Sequence, residues 1–241
     1  TPRSPTQTPA ADDQEEWGPP PDSCPLRLRL RSPHFDLYLV TDRAQTGGRD
    51  LLWILEQALE AGVRAVQLRE KDLSGRELLI LAEKAKKLCQ RYRTGLFIND
   101  RIDVALEVDA EGLQLGTFSM PIEAARRLLG EQKLIGVSTH SVREAEAAEQ
   151  GGADFILFGP IYFTPSKAVY GEPQGLGPLK KVVEKVSLPV YVIGGIREEN
   201  VAEVKETGIR GVALISAVLG AAEPGEAAGK ILAAIRNEAD E

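Results

Sequence analysis

The stretch Phe155-Ile-Leu-Phe-Gly-Pro-Ile-Tyr-Phe-Thr-Pro-Ser-Lys167 runs from buried-type apolar residues straight into a polar loop. Ile156, Leu157 and Phe158 read as a strand buried on both faces, and Gly159-Pro160 ends it. Thr164-Pro165-Ser166-Lys167 then supplies two hydroxyls and an ammonium, a match to the tetrahedral oxygens of a phosphate or pyrophosphate. A solvated surface loop with one lysine is the plainer alternative. About sixteen residues, Pro160 to Gly175, precede the next apolar pattern, and loops that long in compact domains are usually functional or disordered.

The same unit, a short apolar run followed by a helical pattern, recurs on both sides of this stretch. Upstream strands are expected at Leu37–Val40, Ala65–Leu68, Leu96–Ile98, Gly112–Leu115 and Leu134–Val137, and downstream ones at Val190–Ile193 and Val212–Ile215. Helices are expected between them. In Leu51–Ala61, Leu52, Leu55 and Leu59 line an apolar face. Ser74 with Glu77 three residues on is a capping-box pattern, a short helix holds Val104–Val108, Pro121 opens the next, and another runs from Ser141 to Gln150. Eight strands, each followed by a helix, predict an α/β fold of the (β/α)8 TIM barrel type. An open doubly wound sheet would need fewer strands and usually a Gly-rich dinucleotide turn after strand one, where this chain has Val40-Thr-Asp-Arg43.

Length and composition agree. The 241 residues, 43% of them hydrophobic, suit one domain with an ordinary core. Residues 1–33 hold eight of the fifteen prolines and few large apolar residues, so a disordered Pro-rich tail is expected before a barrel catalytic domain over 34–241. Within it, Leu26-Arg-Leu-Arg-Leu30 alternates with strand period. A net charge of −7 argues against nucleic acid, since no broad basic stripe is available to neutralise its phosphates. Two cysteines, Cys24 and Cys89, indicate neither a disulfide framework nor a metal cluster. With no membrane-length apolar run and no secretory h-region, a cytoplasmic protein is expected, and homo-oligomers are compatible with small barrels of this kind.

In a barrel the C-terminal ends of the strands share one face, so polar residues scattered in sequence converge there. Gln67, Arg69 and Lys71 follow strand two at period two; Asn99-Asp100 follows strand three and Ser138-Thr-His140 strand five. Thr164, Ser166 and Lys167 follow strand six, Gly194-Gly195 strand seven, and Ile215-Ser216 strand eight. The last two places are the usual phosphate site of the fold. Alternatives stand beside each: a tight turn for the glycines, ion pairs with Glu70 or Asp72 for Arg69 and Lys71, a helix cap for Asp100. Asp100 facing a pyrophosphate site is otherwise a candidate Mg2+ ligand. His140, the only histidine in the barrel and at a strand end, is a candidate for proton transfer, with a hydrogen-bonding role at the following helix's N-terminus as its alternative.

Taken together, Gln67-Leu-Arg-Glu-Lys71, Ile98-Asn-Asp100, Gly136-Val-Ser-Thr-His140, Gly159 to Lys167, Ile193-Gly-Gly-Ile196 and Ile215-Ser-Ala217 resemble the thiamine-phosphate synthase and thiazole tautomerase superfamily, from roughly Leu37 to Leu219. The resemblance implies an enzyme that joins hydroxymethylpyrimidine diphosphate to thiazole phosphate, releasing pyrophosphate, with Mg2+ as cofactor and these small molecules as its partners. It implies that Gln67, Arg69, Lys71, Asn99 and Lys167 bind the pyrimidine diphosphate and that Ser138 sits near the pyrimidine. Thr164, Ser166, Gly195, Ile215 and Ser216 would hold the thiazole phosphate and Asp100 the metal. Lys71, Lys167, Ser138 and His140 form the candidate catalytic set.

One segment departs from the family pattern. Where synthases usually read Gly-(Val/Ile)-His-Leu-Gly-Gln-x-Asp, this chain has Gly112-Leu-Gln-Leu-Gly-Thr-Phe-Ser119, with Gln114 for His, Thr117 for Gln and Ser119 for the second metal-binding Asp. A neutral hydroxyl is a much poorer Mg2+ ligand than a carboxylate. The tautomerase branch, which acts on a thiazole carboxylate phosphate, also lacks this Asp and relies on a histidine, for which His140 is the candidate. Asn99-Asp100 and the Thr164–Lys167 loop keep the synthase form, so the synthase is the expected activity. A non-catalytic binder of thiamine-type phosphates is the third reading, and Asp100, His140 and the cation pair exceed what it needs.

Overall fold

The computed structural model describes residues 33–164 and 172–236. Ser166, Lys167, Cys24 and the Leu26–Leu30 alternation lie outside the described residues. Strands β1 (Leu37–Val40), β2 (Ala65–Leu68), β3 (Gly95–Asn99), β4 (Gly112–Leu115), β5 (Leu134–Thr139), β6 (Phe155–Phe158), β7 (Val190–Ile193) and β8 (Gly211–Leu214) pair in parallel with their sequence neighbours. The ring closes where Leu37 meets Val212 and Leu39 meets Leu214. Helices α1 (Leu51–Glu60), α2 (Gly75–Arg91), α3 (Ile102–Glu107), α4 (Ile122–Leu129), α5 (Val142–Gln150), α6 (Leu176–Lys185), α7 (Glu198–Lys205), α8 (Ser216–Leu219) and α9 (Pro224–Arg236) follow the strands. This is the TIM barrel the strand-helix alternation predicts. Among the described residues no helix is long and apolar enough to cross a membrane.

Because side chains alternate along a strand, each strand faces two cores. Leu39, Val66, Leu68, Ile98, Leu113, Leu115, Ile156, Phe158, Val192 and Val212 point outward into the layer shared with the helices. Tyr38, Ala65, Phe97, Phe155, Leu157, Tyr191 and Ala213 point inward. The interior is wide enough for large aromatics only because small residues face them. A β-carbon on Gly112 would lie 2.6 Å from the Phe97 ring, one on Gly136 2.3 Å from Phe155, and one on Gly211 2.9 Å from Tyr191.

Phe35, just ahead of β1, stacks on Tyr191 with ring centroids 4.5 Å apart and closes the N-terminal end of the barrel. The Tyr191 hydroxyl donates to the Phe35 carbonyl at 3.0 Å and, more weakly, to that of Pro33. Burial pushes the Tyr38 and Tyr191 phenols well above their ordinary pKa, so both stay neutral donors. Element boundaries differ from expectation where a cap or bend intervenes. β3 gains Gly95 and Asn99, β5 runs on to Thr139, Pro121 is the residue before α4, and Ile215 turns out of β8 to lead α8. Ser74 and Glu77 do form the expected capping box of α2.

Candidate active site

The C-terminal ends of β2 to β5 form one arc of the mouth. Gln67 is buried on the inward side of β2, Arg69 is half-buried beyond it, and Lys71 is exposed. Thr41, at the end of β1, accepts a hydrogen bond from the Arg69 amide at 2.9 Å and so ties the two strand ends together. Glu70 and Asp72, the expected ion-pair partners of Arg69 and Lys71, are both taken by Arg43. The Arg43 guanidinium lies 3.3 Å from Glu70 and 2.7 Å from Asp72, and its backbone N–H donates to Glu70 at 3.0 Å. Among the described residues Arg69 and Lys71 make no ion pair, which leaves two cations for an anionic ligand.

Asn99 ends β3, and Asp100, the next residue, sits in the left-handed region at φ 60°. Its carboxylate does not cap α3, whose N-cap residue is Arg101. One carboxylate oxygen accepts from Asn99 Nδ2 at 2.9 Å, and the other accepts from the Ser119 hydroxyl. Ser119 Oγ in turn accepts the Gly116 N–H at 2.6 Å, so the residue in the place of the family's second acid binds the first acid to the β4 loop. Next along the ring, the Tyr38 hydroxyl lies 3.5 Å from Gln114 Oε1, and Gln114 Nε2 donates to Ser138 Oγ at 3.1 Å. With a lone pair of Ser138 occupied, its own O–H is the part free to donate into the mouth.

The second arc runs over the ends of β6 to β8. Thr164 is half-buried, and its Oγ1 is buried without a partner among the described residues. Gly194 and Gly195 both have positive φ, and their α-carbons lie against the start of the β6 loop. A β-carbon on Gly194 would meet Pro160 Cβ at 2.5 Å, and one on Gly195 would meet Tyr162 Cβ at 2.7 Å. The glycines therefore serve the turn and the close approach of that loop, which accounts for them whether or not phosphate binds. Ile215 is half-buried and Ser216, exposed, begins α8. His140 joins the arcs: its ring Nδ1 lies 2.5 Å from the Gly159 carbonyl.

A family model described as thiamine monophosphate synthase matches residues 37–218, the span that contains every strand of this mouth. The chain belongs to the thiamine monophosphate synthase family. Over 199 residues it is 52% identical to a putative thiamine-phosphate synthase of Geobacter sulfurreducens, covering 83% of this chain and 93% of that one. It is 44% identical over 186 residues to a thiamine-phosphate synthase of Clostridium novyi, covering 77% and 91%. The solved thiamine phosphate pyrophosphorylase of Pyrococcus furiosus superposes with a TM-score of 0.78 at 38% identity, covering 87% of this chain and 98% of that structure. The family resemblance read from the motifs is thus borne out.

Against this family background the structure gathers Gln67, Arg69, Asn99, Asp100 and Ser138 on one arc and places Thr164, Gly195, Ile215 and Ser216 on the other. Lys71 lies at the outer edge of the first arc, and Ser166 and Lys167 are outside the described residues. Sequence reasoning missed Arg43, Thr41 and Tyr38. Arg43 and Thr41 were within reach of the rule applied elsewhere: Val40-Thr-Asp-Arg43 is also a strand's C-terminal end.

Proposed function

We propose that this protein is a thiamine-phosphate synthase that joins hydroxymethylpyrimidine diphosphate to thiazole phosphate, giving thiamine phosphate and pyrophosphate. The observation that carries this reading is the pair Arg69 and Lys71, unpaired among the described residues, beside Asn99-Asp100 and Ser138 at the mouth of a barrel of this family. The bond between the pyrimidine's exocyclic carbon and the diphosphate oxygen breaks with its electron pair staying on oxygen. The thiazole nitrogen then gives its lone pair to that carbon. Charge builds on the departing oxygens, and fixed cations aimed there stabilise it far more in a water-poor site than in solution. Arg69, Lys71 and Lys167 take that role, Gln67 and Asn99 orient the diphosphate, and Ser138 donates to the pyrimidine. Thr164, Ser166, Gly195, Ile215 and Ser216 hold the thiazole phosphate.

Asp100 is the Mg2+ ligand in this proposal. Among the described residues no group of three His, Cys, Asp or Glu could hold a metal. The donors at this place are nonetheless all hard: one exposed carboxylate, with a hydroxyl beside it and diphosphate oxygens expected opposite. That set suits Mg2+, which is commonly held by one or two carboxylates plus substrate phosphates. When bound, Mg2+ would neutralise charge on the leaving diphosphate. Synthase relatives matched over most of the chain favour this activity over the tautomerase and the non-catalytic binder. A cytoplasmic setting and homo-oligomeric assembly belong to the same proposal.

The test is formation of thiamine phosphate by the purified protein from the two substrates, with and without Mg2+, and a parallel reaction with the unisomerised thiazole carboxylate phosphate. Turnover of the carboxylate alone would overturn the proposal in favour of the tautomerase, and binding without turnover of either would leave a binder.

A further inference from the structure

The cap of α5 fixes the backbone of His140. Ser141 Oγ accepts the Glu144 N–H at 3.2 Å, and the Glu144 carboxylate takes the Ser141 hydroxyl on one oxygen and the His140 backbone N–H, at 2.8 Å, on the other. From this anchored position the ring reaches across to the next strand, 2.5 Å from Nδ1 to the Gly159 carbonyl. A carbonyl only accepts, so Nδ1 carries the proton.

Gly159 is the first residue of the β6 loop and is held on every side. Its N–H donates to the Thr139 carbonyl at 3.3 Å, and its α-carbon lies against the Ile193 carbonyl, which a β-carbon would meet at 2.2 Å. Beyond it main-chain bonds tie the loop's first limb both to the end of β7 and to its own second limb. Ile161 N–H donates to Ile193 O and Tyr162 N–H to Gly194 O, while Gln174 N–H donates to Pro160 O and Gly175 N–H to Ile161 O. Among the described residues, His140 supplies the one side-chain hydrogen bond to the main chain of this stem.

We infer that His140 is a positioning residue: it braces the β6 loop stem from the end of β5, acting through the Gly159 carbonyl on the loop that carries Thr164. Its contribution is a fixed donor and requires no change of protonation during turnover. The kinetic part of the test rests on the synthase reading above; the structural part does not.

Asparagine can put an N–H donor near where Nδ1 stands, yet cannot carry a proton at neutral pH, so it separates bracing from proton transfer. In the full-length protein without substrate, His140→Ala should speed hydrogen exchange at the Ile161 and Tyr162 amides by on the order of tenfold, as expected for a stem that opens more readily once its carbonyl loses a partner. His140→Phe, which keeps the ring's bulk without a donor, is the second loss variant should alanine not fold. His140→Asn should restore most of the protection. In the synthase assay, loss of the brace should raise KM for thiazole phosphate several-fold more than it lowers kcat, with asparagine again restoring most of the loss. The inference fails if both loss variants exchange like the wild type. It also fails if the asparagine variant is protected like the wild type but as inactive as alanine, since a proton carrier would then be the better account. Should the wild type prove not to be a synthase, the exchange rates alone decide.

Discussion

Arg43→Ala should cost stability and anion affinity together, and the two effects have separate origins. The Glu70 side chain is 2% exposed and Arg43 39%, with 3.3 Å between Arg43 Nε and Glu70 Oε2. Removing one partner of a fully buried pair costs roughly 3 to 5 kcal/mol. Arg43 is more than a third exposed, so solvent screening reduces that figure, and its contact with the 74%-exposed Asp72 adds little. The Arg43 backbone N–H, 3.0 Å from Glu70, survives the substitution and keeps one bond to the stranded carboxylate. A loss of about 1 to 2 kcal/mol is expected from these terms, read as a lower urea midpoint at unchanged slope. The second effect falls on ligand binding. With Arg43 gone, Glu70 and Asp72 are left beside Arg69 and Lys71 and compete with the diphosphate for them. KM for the pyrimidine diphosphate should rise by about tenfold, equivalent to ~1.4 kcal/mol. Arg43→Lys should recover only part of either effect, because one ammonium cannot present the guanidinium's fork to two carboxylates. A variant that loses stability but keeps the wild-type KM would refute the idea that Arg43 holds those carboxylates away from the site. One that keeps its stability would show that Glu70 does not depend on Arg43.

Three further outcomes are expected. Lys167→Ala should lower synthase kcat/KM by on the order of 100-fold or more, through loss of one charge-stabilising donor, with little change in the urea midpoint; wild-type turnover would remove Lys167 from the site. Asp100→Asn should lower activity and Mg2+ affinity together, whereas Ser119→Asp should tighten Mg2+ by adding a second anionic oxygen; Mn2+ binding followed by electron paramagnetic resonance in the presence of pyrophosphate would show neither change if the metal sits elsewhere. Partial burial pushes the Asp36 carboxyl up, but hydrogen bonds and charge from Arg236 and Arg210 outweigh it and hold the group below its ordinary value; stability from this group is therefore present at neutral pH and lost as pH falls through its folded value, so the gap in urea midpoint between wild type and Asp36→Asn should close below about pH 4, and a gap constant down to pH 2 would contradict it.

The barrel was legible because its strands are short, mostly buried and mostly apolar runs alternating with helical patterns, so their number and places could be counted from Leu37 to Leu214 even where Gln67 or Gln114 interrupts the run. What was not legible lies where local rules meet tertiary contacts. Ile215 looks like the last residue of a strand by composition, yet its ψ of −89° turns the chain into α8. Gly194-Gly195 was readable as a phosphate turn, but nothing local says that Pro160 and Tyr162 pack onto those two α-carbons. Arg69 and Lys71 could be placed by period, whereas the fate of Glu70 and Asp72 depended on Arg43, 27 residues earlier than Glu70 and on another strand end. The link between Asp100 and Ser119 was invisible for the same reason. By sequence alone Ser119 shows only the absence of an acid, whereas in the fold it is the hydroxyl that holds the remaining one.

The position of the site along the barrel axis follows from a change of residue type at successive inward positions. On β2 the inward series is Ala65 then Gln67, with Arg69 just past the strand's end; on β3 it is Phe97 then Asn99; on β4 Gly112 then Gln114; on β5 Gly136 then Ser138. The lower members pack with Tyr38, Phe155 and Tyr191 into an apolar floor sealed by Phe35. One step of two residues higher, the same strands turn polar. At the floor the phenols of Tyr38 and Tyr191 reach acceptors at its edges, but a shorter amide or hydroxyl left there without a partner would cost some 1 to 3 kcal/mol, while the same group one step up can reach a neighbour, as Gln114 reaches Ser138 at 3.1 Å. Strand register thus sets both the depth at which water is excluded and the level at which polar groups are affordable, and the two meet under the strand ends where Arg69, Asn99 and Asp100 stand. The floor does more than fill space. Through Tyr38 and Gln114 it sets a donor against Ser138 Oγ, so the apolar core and the chemistry of the mouth are joined by a hydrogen-bonded path of three side chains.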